Sequence, residues 1–375
     1  MLPGRQPLNS PRTLSEVSKN IPFRFAKKIL SNAKVMGKRR KPATLYHGQP
    51  KSIVILARER YGDAIMLTPL IATLRQTYPE VSISIVAFSR IIFDFFNADT
   101  NISGVYHAKR DLKRYLFEFF PKKFDILFNP KNHPSTHFHI QSLIIRAKYK
   151  VGHRNTRHEA LYNHIIDLGP GAHESTRNLA LMGAISNSPH QHAQPYIPQM
   201  PVSNEIATFL EALPTGLYTG INISAGTPGG HRTFEQWAEL IRSFPEERFV
   251  IFSAPGEIAE KRTLENPHGN VLPSPHTQNL YEVWQIVKKL KLLITPDTSL
   301  VHIAACSDTP LVALYRHNPA DSKEFSPLST LQEVIVSPTP SVVDIENEVV
   351  TAALGRMLAS LSVNNASQVK LLSTY

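Results

Sequence analysis

From residue 51 onward, short β-branched runs alternate with longer stretches of helical periodicity. Ile53-Val54-Ile55-Leu56 has the character of a buried strand, and Asp63 to Tyr78 predicts a helix closed by Pro79. Val81–Phe88 predicts the next strand, followed by a strand at Phe124–Phe128 and a helix near 135–147. A Pro-rich connection over roughly 186–202 carries Pro189, Pro195, Pro198 and Pro201. The alternation then restarts with strand Thr219–Ser224, helix 233–243, strand Arg248–Phe252 and helix 257–265. A helix near 278–290, strand Leu292–Thr295, helix 299–306 and strand Leu311–Tyr315 follow, with a last helix at about 342–361 packing back on the body. Strands alternating with helices imply parallel sheets covered on both faces. The fold class is therefore α/β, with two doubly wound, Rossmann-like domains facing a central cleft. Their expected extents are 49–190 and 203–345, with a linker at 191–202 and a C-terminal helix and tail at 346–375.

Composition narrows the class. The chain has 375 residues, 42% of them apolar, enough for two cores. A single cysteine, Cys306, excludes an internal disulfide, and no Cys/His cluster has zinc-site spacing, so no metal is expected. No apolar run approaches the roughly 18–20 residues of a spanning helix. The expectation is a cytoplasmic protein, peripheral on the inner face of the cytoplasmic membrane.

The net charge of +11 is concentrated at one end. Residues 1–50 hold eleven Lys and Arg against one acid, Glu16, so the rest of the chain is nearly neutral. A nucleic-acid binder more often spreads its basic residues over a folded face, so nucleic acid is not the expected partner. Phe25, Ile29, Leu30, Ala33 and Met36 recur at helical spacing among Arg24, Lys27, Lys28 and Lys34, and Lys38-Arg39-Arg40-Lys41 follows. An apolar stripe edged by cations fits a helix lying on an anionic membrane surface, which makes residues 1–48 the expected membrane contact. A solubilising tail fits the same residues.

In open parallel sheets, ligands bind beyond the carboxyl ends of the strands. After the first strand comes Arg58-Glu59-Arg60-Tyr61-Gly62-Asp63. Gly62 permits a tight strand-to-helix turn, and Asp63 at the helix start fits either an N-cap or a general base. After the first strand of the second half comes Ser224-Ala225-Gly226-Thr227-Pro228-Gly229-Gly230-His231-Arg232, small residues with a hydroxyl and cations ahead of a helix. Such a loop can cradle a phosphate, or it can be only a loop. Neither a dinucleotide fingerprint nor a P-loop occurs. Thr295-Pro296-Asp297-Thr298-Ser299 ends a strand and opens a helix, with His302 one turn on; these residues suit a diphosphate or a simple cap and a hydrogen-bonded histidine. Glu257 stands where a carboxylate can hold a ribose hydroxyl or merely favour a helix start. No Asp-x-Asp pair is present to hold a metal on a nucleotide-sugar diphosphate.

Taken together, these residues resemble the bacterial ADP-heptose:lipopolysaccharide heptosyltransferases, glycosyltransferase family nine. Gly62-Asp63-Ala64-Ile65-Met66-Leu67-Thr68-Pro69-Leu70, with Leu74-Arg75 and Tyr78-Pro79, is similar to the family's opening motif. Val151-Gly152, the stretch from His173-Glu174 to Leu179, and Ser224–Trp237 follow in family order. Asp297–Ala305, continuing into Pro310–Tyr315, resembles the Asp-Thr/Ser-Gly-x-x-His-x-Ala-Ala motif, and the resemblance covers about 50–330. It implies a GT-B architecture, with the lipid-linked saccharide acceptor on the first domain and the nucleotide-sugar donor on the second. It implies inverting, metal-independent transfer of heptose from an ADP-sugar to a lipopolysaccharide core, the ADP-sugar being a co-substrate and no cofactor being needed. Asp63 would be the base; Thr227, His231, Arg232, Thr298, Ser299 and His302 would line the donor phosphates; Glu257 would meet the ribose, and Asp297 the sugar. The chain departs from the pattern in two places. Gly230-His231-Arg232-Thr233 replaces a lysine before Trp-Pro, and Ser299 replaces a glycine. A divergent member would use another nucleotide sugar for an O-antigen or capsule, or bind nucleotide without catalysis.

Overall fold

The structure, a computed structural model, describes residues 45–107, 110–155, 159–186 and 193–372. Most of the expected basic arm, residues 1–44, lies outside the described residues. Among the described residues there are two six-stranded sheets, parallel throughout. The first is ordered β3-β2-β1-β4-β5-β6, from β1 (Ser52–Leu56), β2 (Ser82–Ala87), β3 (Gly104–His107), β4 (Phe124–Asn129), β5 (Ala147–His153) and β6 (His164–Ile166). The second is ordered β12-β11-β10-β7-β8-β9, from β7 (Tyr218–Asn222), β8 (Arg248–Phe252), β9 (Val271–Leu272), β10 (Leu292–Pro296), β11 (Leu311–Tyr315) and β12 (Gln332–Val336). Both orders reverse beside their first strand, so the chain is a pair of doubly wound sheets with GT-B architecture.

The apolar run of β1 divides with period two. Ile53 and Ile55 join one core cluster with Ile83, Ile85, Ile126 and Phe128. Val54 and Leu56 join another with Val86, Leu127 and Phe138 on the opposite face. A strand buried on both faces has no polar alternate position, which is why the run is continuous. Helices α1 (Tyr61–Thr77), α2 (Arg90–Asn97) and α5 (Glu174–Ile185) cover the first face; α3 (Leu112–Arg114, continuing as a π-helical turn over Tyr115–Phe119) and α4 (Thr136–Ile144) cover the second.

Pro69 sits inside α1 and cannot donate to the Ile65 carbonyl. The Thr68 hydroxyl fills that vacancy, donating to Ile65 O at 2.7 Å. The same hydroxyl accepts from the Tyr196 N–H at 2.9 Å, and Tyr196 OH donates to Asp99 at 2.6 Å, so the Pro-rich connection is fastened to the first half.

In the second half, α6 (Asn204–Ala212), α7 (Phe234–Arg242), α8 (Ile258–Glu265), α9 (Leu280–Val287), α10 (Ser299–Ala305) and α11 (Pro319–Glu324) follow. The terminal helix α12 spans Asn347–Leu372, later and longer than the expected 342–361, because Val342–Asp344 is a separate 3-10 turn. Its Val350, Ala353, Leu354 and Met357 enter the second sheet's core. The helix expected near 135–147 stops at Ile144, and β5 takes over from Ala147.

Candidate active site between the two sheets

The crossover between β1 and β4 in one sheet, and between β7 and β10 in the other, puts two sets of loops at the carboxyl ends of the strands. The two halves meet through α1 and α10. Gly62 lies so close to α10 that a Cβ on it would stand 2.9 Å from His302 Cδ2. Only glycine allows that approach without displacing the ring.

On the first side, Arg60 occupies the N-cap of α1 and Asp63 is the third residue of the helix, so Asp63 is not itself the cap. Its carboxylate accepts from the Arg60 N–H and stands 3.3 Å from Arg58 Nε. Its side chain is 8% exposed. Burial pushes the Asp63 carboxyl above the usual range, and Arg58 and Arg60 only partly offset this. Arg58 Nη1 lies 2.5 Å from the fully buried Glu174. One guanidinium therefore serves two buried carboxylates, and burial also raises Glu174. At the end of β4, Lys131 reaches Glu59 at 3.1 Å, and His133 is held below its ordinary pKa by burial and the nearby Arg58.

On the second side, Asn222 ends β7 and bridges to β10, its Nδ2 donating to Thr295 Oγ1 at 2.9 Å and Thr298 Oγ1 at 3.1 Å. Thr298 caps α10, accepting from the Leu300 N–H at 3.2 Å, with Asp297 and Ser299 beside it. The loop after β7 turns at Thr227–Gly230, closed by a 3.1 Å bond from the Gly230 N–H to Thr227 O. Pro228 and Gly229 are its central residues, and Gly229 has φ +76°, as a type II turn needs at its third position. A Cβ at Gly229 would also come within 2.8 Å of Pro340 O. The Ser224 hydroxyl donates to Glu257, and Glu257 stands 3.8 Å from the exposed His231. Thr227, His231 and Glu257 thus share one rim, while Asp297, Thr298 and Ser299 form the head of α10.

Two expected phosphate contacts are placed differently. Arg232 is 5% exposed, donates to Ile345 O at 3.0 Å and to Asn347, and lies 5.5 Å from the Trp237 ring. Its guanidinium braces the segment leading into α12 instead of pointing from the loop, and burial lowers its pKa to about 10. His302 is fully buried against Gly62, and burial pushes its pKa down to about 3, so the ring is neutral near pH 7. It spans the two halves and adds no positive charge. Sequence reasoning missed Arg316 just after β11, whose Nη1 donates to Pro228 O at 3.4 Å and brings a cation to the loop. It also missed the role of Arg58; the adjacent Asp63 was the available signal.

The halves hold further contacts near Asp63. His173 Nε2 pairs with Ser326 O at 3.0 Å, Arg177 with Glu324 at 3.2 Å, and Arg58 lies 5.9 Å from the Phe325 ring. Among the described residues, no group of three or more His, Cys, Asp or Glu is arranged to hold a metal ion, and no helix is long and apolar enough to cross a membrane.

Solved structures share this architecture. The chain superposes on the E. coli heptosyltransferase WaaC with ADP with a TM-score of 0.63 at 18% identity, covering 82% of this chain and 99% of that one. The corresponding values are 0.66, 18%, 85% and 99% for a family 9 glycosyl transferase from Veillonella parvula. For the E. coli ADP-heptose lps heptosyltransferase II they are 0.63, 20%, 82% and 99%. At such identities the likeness is one of fold. No curated protein matches the chain by sequence. Residues 122–351 match the family model described as glycosyltransferase family 9 (heptosyltransferase).

Proposed function

Because the chain belongs to glycosyltransferase family 9 and is a glycosyltransferase of the heptosyltransferase type, we propose that it transfers a heptose from an ADP-sugar to a lipopolysaccharide core acceptor. The anomeric carbon inverts and no metal takes part. The observation that supports this reading most is the close approach of Gly62, the residue before Asp63, to His302 on the helix headed by Thr298 and Ser299.

The acceptor hydroxyl would give its proton to Asp63. Its oxygen then bonds to the anomeric carbon as the bond from that carbon to the diphosphate oxygen breaks, the electron pair leaving with ADP. A carboxylate lifted by burial is a stronger base than an exposed one. Charge developing on ADP would be met by hydroxyls of Thr227, Thr298 and Ser299, by the His231 ring and by the Arg316 guanidinium. Glu257 would hold a ribose hydroxyl, exchanging its Ser224 partner for the nucleotide, and Asp297 would face the sugar. Residues 1–48 would hold the enzyme at the inner face of the cytoplasmic membrane, near a lipid-linked acceptor.

The test is a melting-temperature series with ADP, UDP, GDP and CDP. A ligand at about 100 times its Kd adds roughly 2.7 kcal/mol of stability. Stabilisation by ADP alone supports the donor. Stabilisation by UDP or GDP keeps the transferase and replaces the heptose donor.

A further inference from the structure

We propose that the flank of the first sheet around α3 is a docking surface for an anionic lipid bilayer. The segment from Leu112 to Phe120 has two apolar faces. Tyr115 and Phe119 are buried against Tyr106 and Phe124 in the core of that sheet face. Leu116, Phe117 and Phe120 point the other way and are 46%, 78% and 41% exposed. Sheet packing needs only the first of these faces, and none of the described residues covers the second.

Cations surround this apolar strip. Lys113, Lys122, Lys123 and Arg146 are exposed around it. Arg146 Nη2 is held at its base by a 2.5 Å bond to Pro121 O. The exposed Glu118 is paired with Arg114 at 3.1 Å, so it does little to offset them. An aromatic centre within a ring of Lys and Arg matches the boundary between acyl chains and anionic headgroups, where each basic group raises partitioning by about fivefold.

The test uses the full-length protein and vesicles of phosphatidylglycerol and phosphatidylcholine. Phe117→Ser should lower partitioning by about tenfold, the scale of losing one buried aromatic side chain. The double variant K113S/K123S should lower it by at least about tenfold and weaken its salt dependence. Phe117→Trp should show a blue-shifted emission that brominated lipid quenches on anionic vesicles and not on phosphatidylcholine alone. Turnover on a soluble acceptor should be unchanged in all three variants, which separates this surface from the transfer reaction. Wild-type protein that ignores the vesicles overturns the proposal. So does Phe117→Ser binding equal to wild type, or a change of oligomeric state in that variant with vesicle binding intact.

Discussion

Gly62 and His302 lie 240 positions apart in the sequence, yet a single methyl group on Gly62 would come within 2.9 Å of the His302 ring. This contact ties the first turn of α1, which carries Asp63, to α10, the helix that follows β10 in the second sheet. Gly62→Ala should therefore move the halves relative to each other and lower kcat/KM by about tenfold, or ~1.4 kcal/mol. In a His302→Ala background the added methyl has room, so its further cost should shrink by about 1 kcal/mol. Equal penalties in the two backgrounds would show that the contact does not couple the halves.

Arg232 and Arg316 separate stability from donor binding. Arg232→Met removes bonds to Ile345 and Asn347 and should cost about 2 kcal/mol of stability with little change in donor KM. Arg316→Met should leave the melting temperature nearly intact and raise donor KM by about tenfold. Urea melts and steady-state kinetics on the same two preparations distinguish them. The reverse pattern would restore Arg232 as the phosphate cation.

The Arg58 arrangement predicts a pH profile. The base works only when ionised, so activity falls as pH drops through the Asp63 pKa. Burial places that limb above the ordinary value of 3.8. Glu174→Gln leaves Arg58 to Asp63 alone and should move the limb to lower pH. Arg58→Met should move it higher, and should destabilise the fold by about 3 kcal/mol because Glu174 is left buried and unpaired. Adding Glu174→Met to Arg58→Met should recover much of that stability. A limb that stays in place in both single variants would remove Asp63 from this ion-pair group.

How much of this was legible in the sequence varies with the kind of signal. Strands β1 and β10 announce themselves because they are buried on both faces and read as largely apolar runs. Strands β3, β6 and β12 do not; β12 lies at the sheet edge and buries just Ile335. Helix α12 runs on to Leu372 through a polar stretch with no apolar periodicity to announce it. Asp63 and Thr298 fall at helix starts after strand ends, as expected; Gly62, expected as a turn residue, is instead the second residue of α1, where its missing side chain admits His302. Arg232 was misplaced because sequence gives a cation's position in a loop but not its direction. Its bonds run to Ile345 and Asn347, more than a hundred residues away. Arg316 stayed hidden for a related reason: only the pairing of β11 beside β10 brings it to the loop after β7.

Asp63→Asn, assayed for transfer from ADP-heptose to a core acceptor and for ADP binding on the same sample, tests the central claim most directly. The account predicts transfer reduced by about 10²–10⁴-fold with ADP affinity and melting temperature close to wild type. Near-normal turnover by Asp63→Asn would contradict it and move the proton acceptor elsewhere in the cleft.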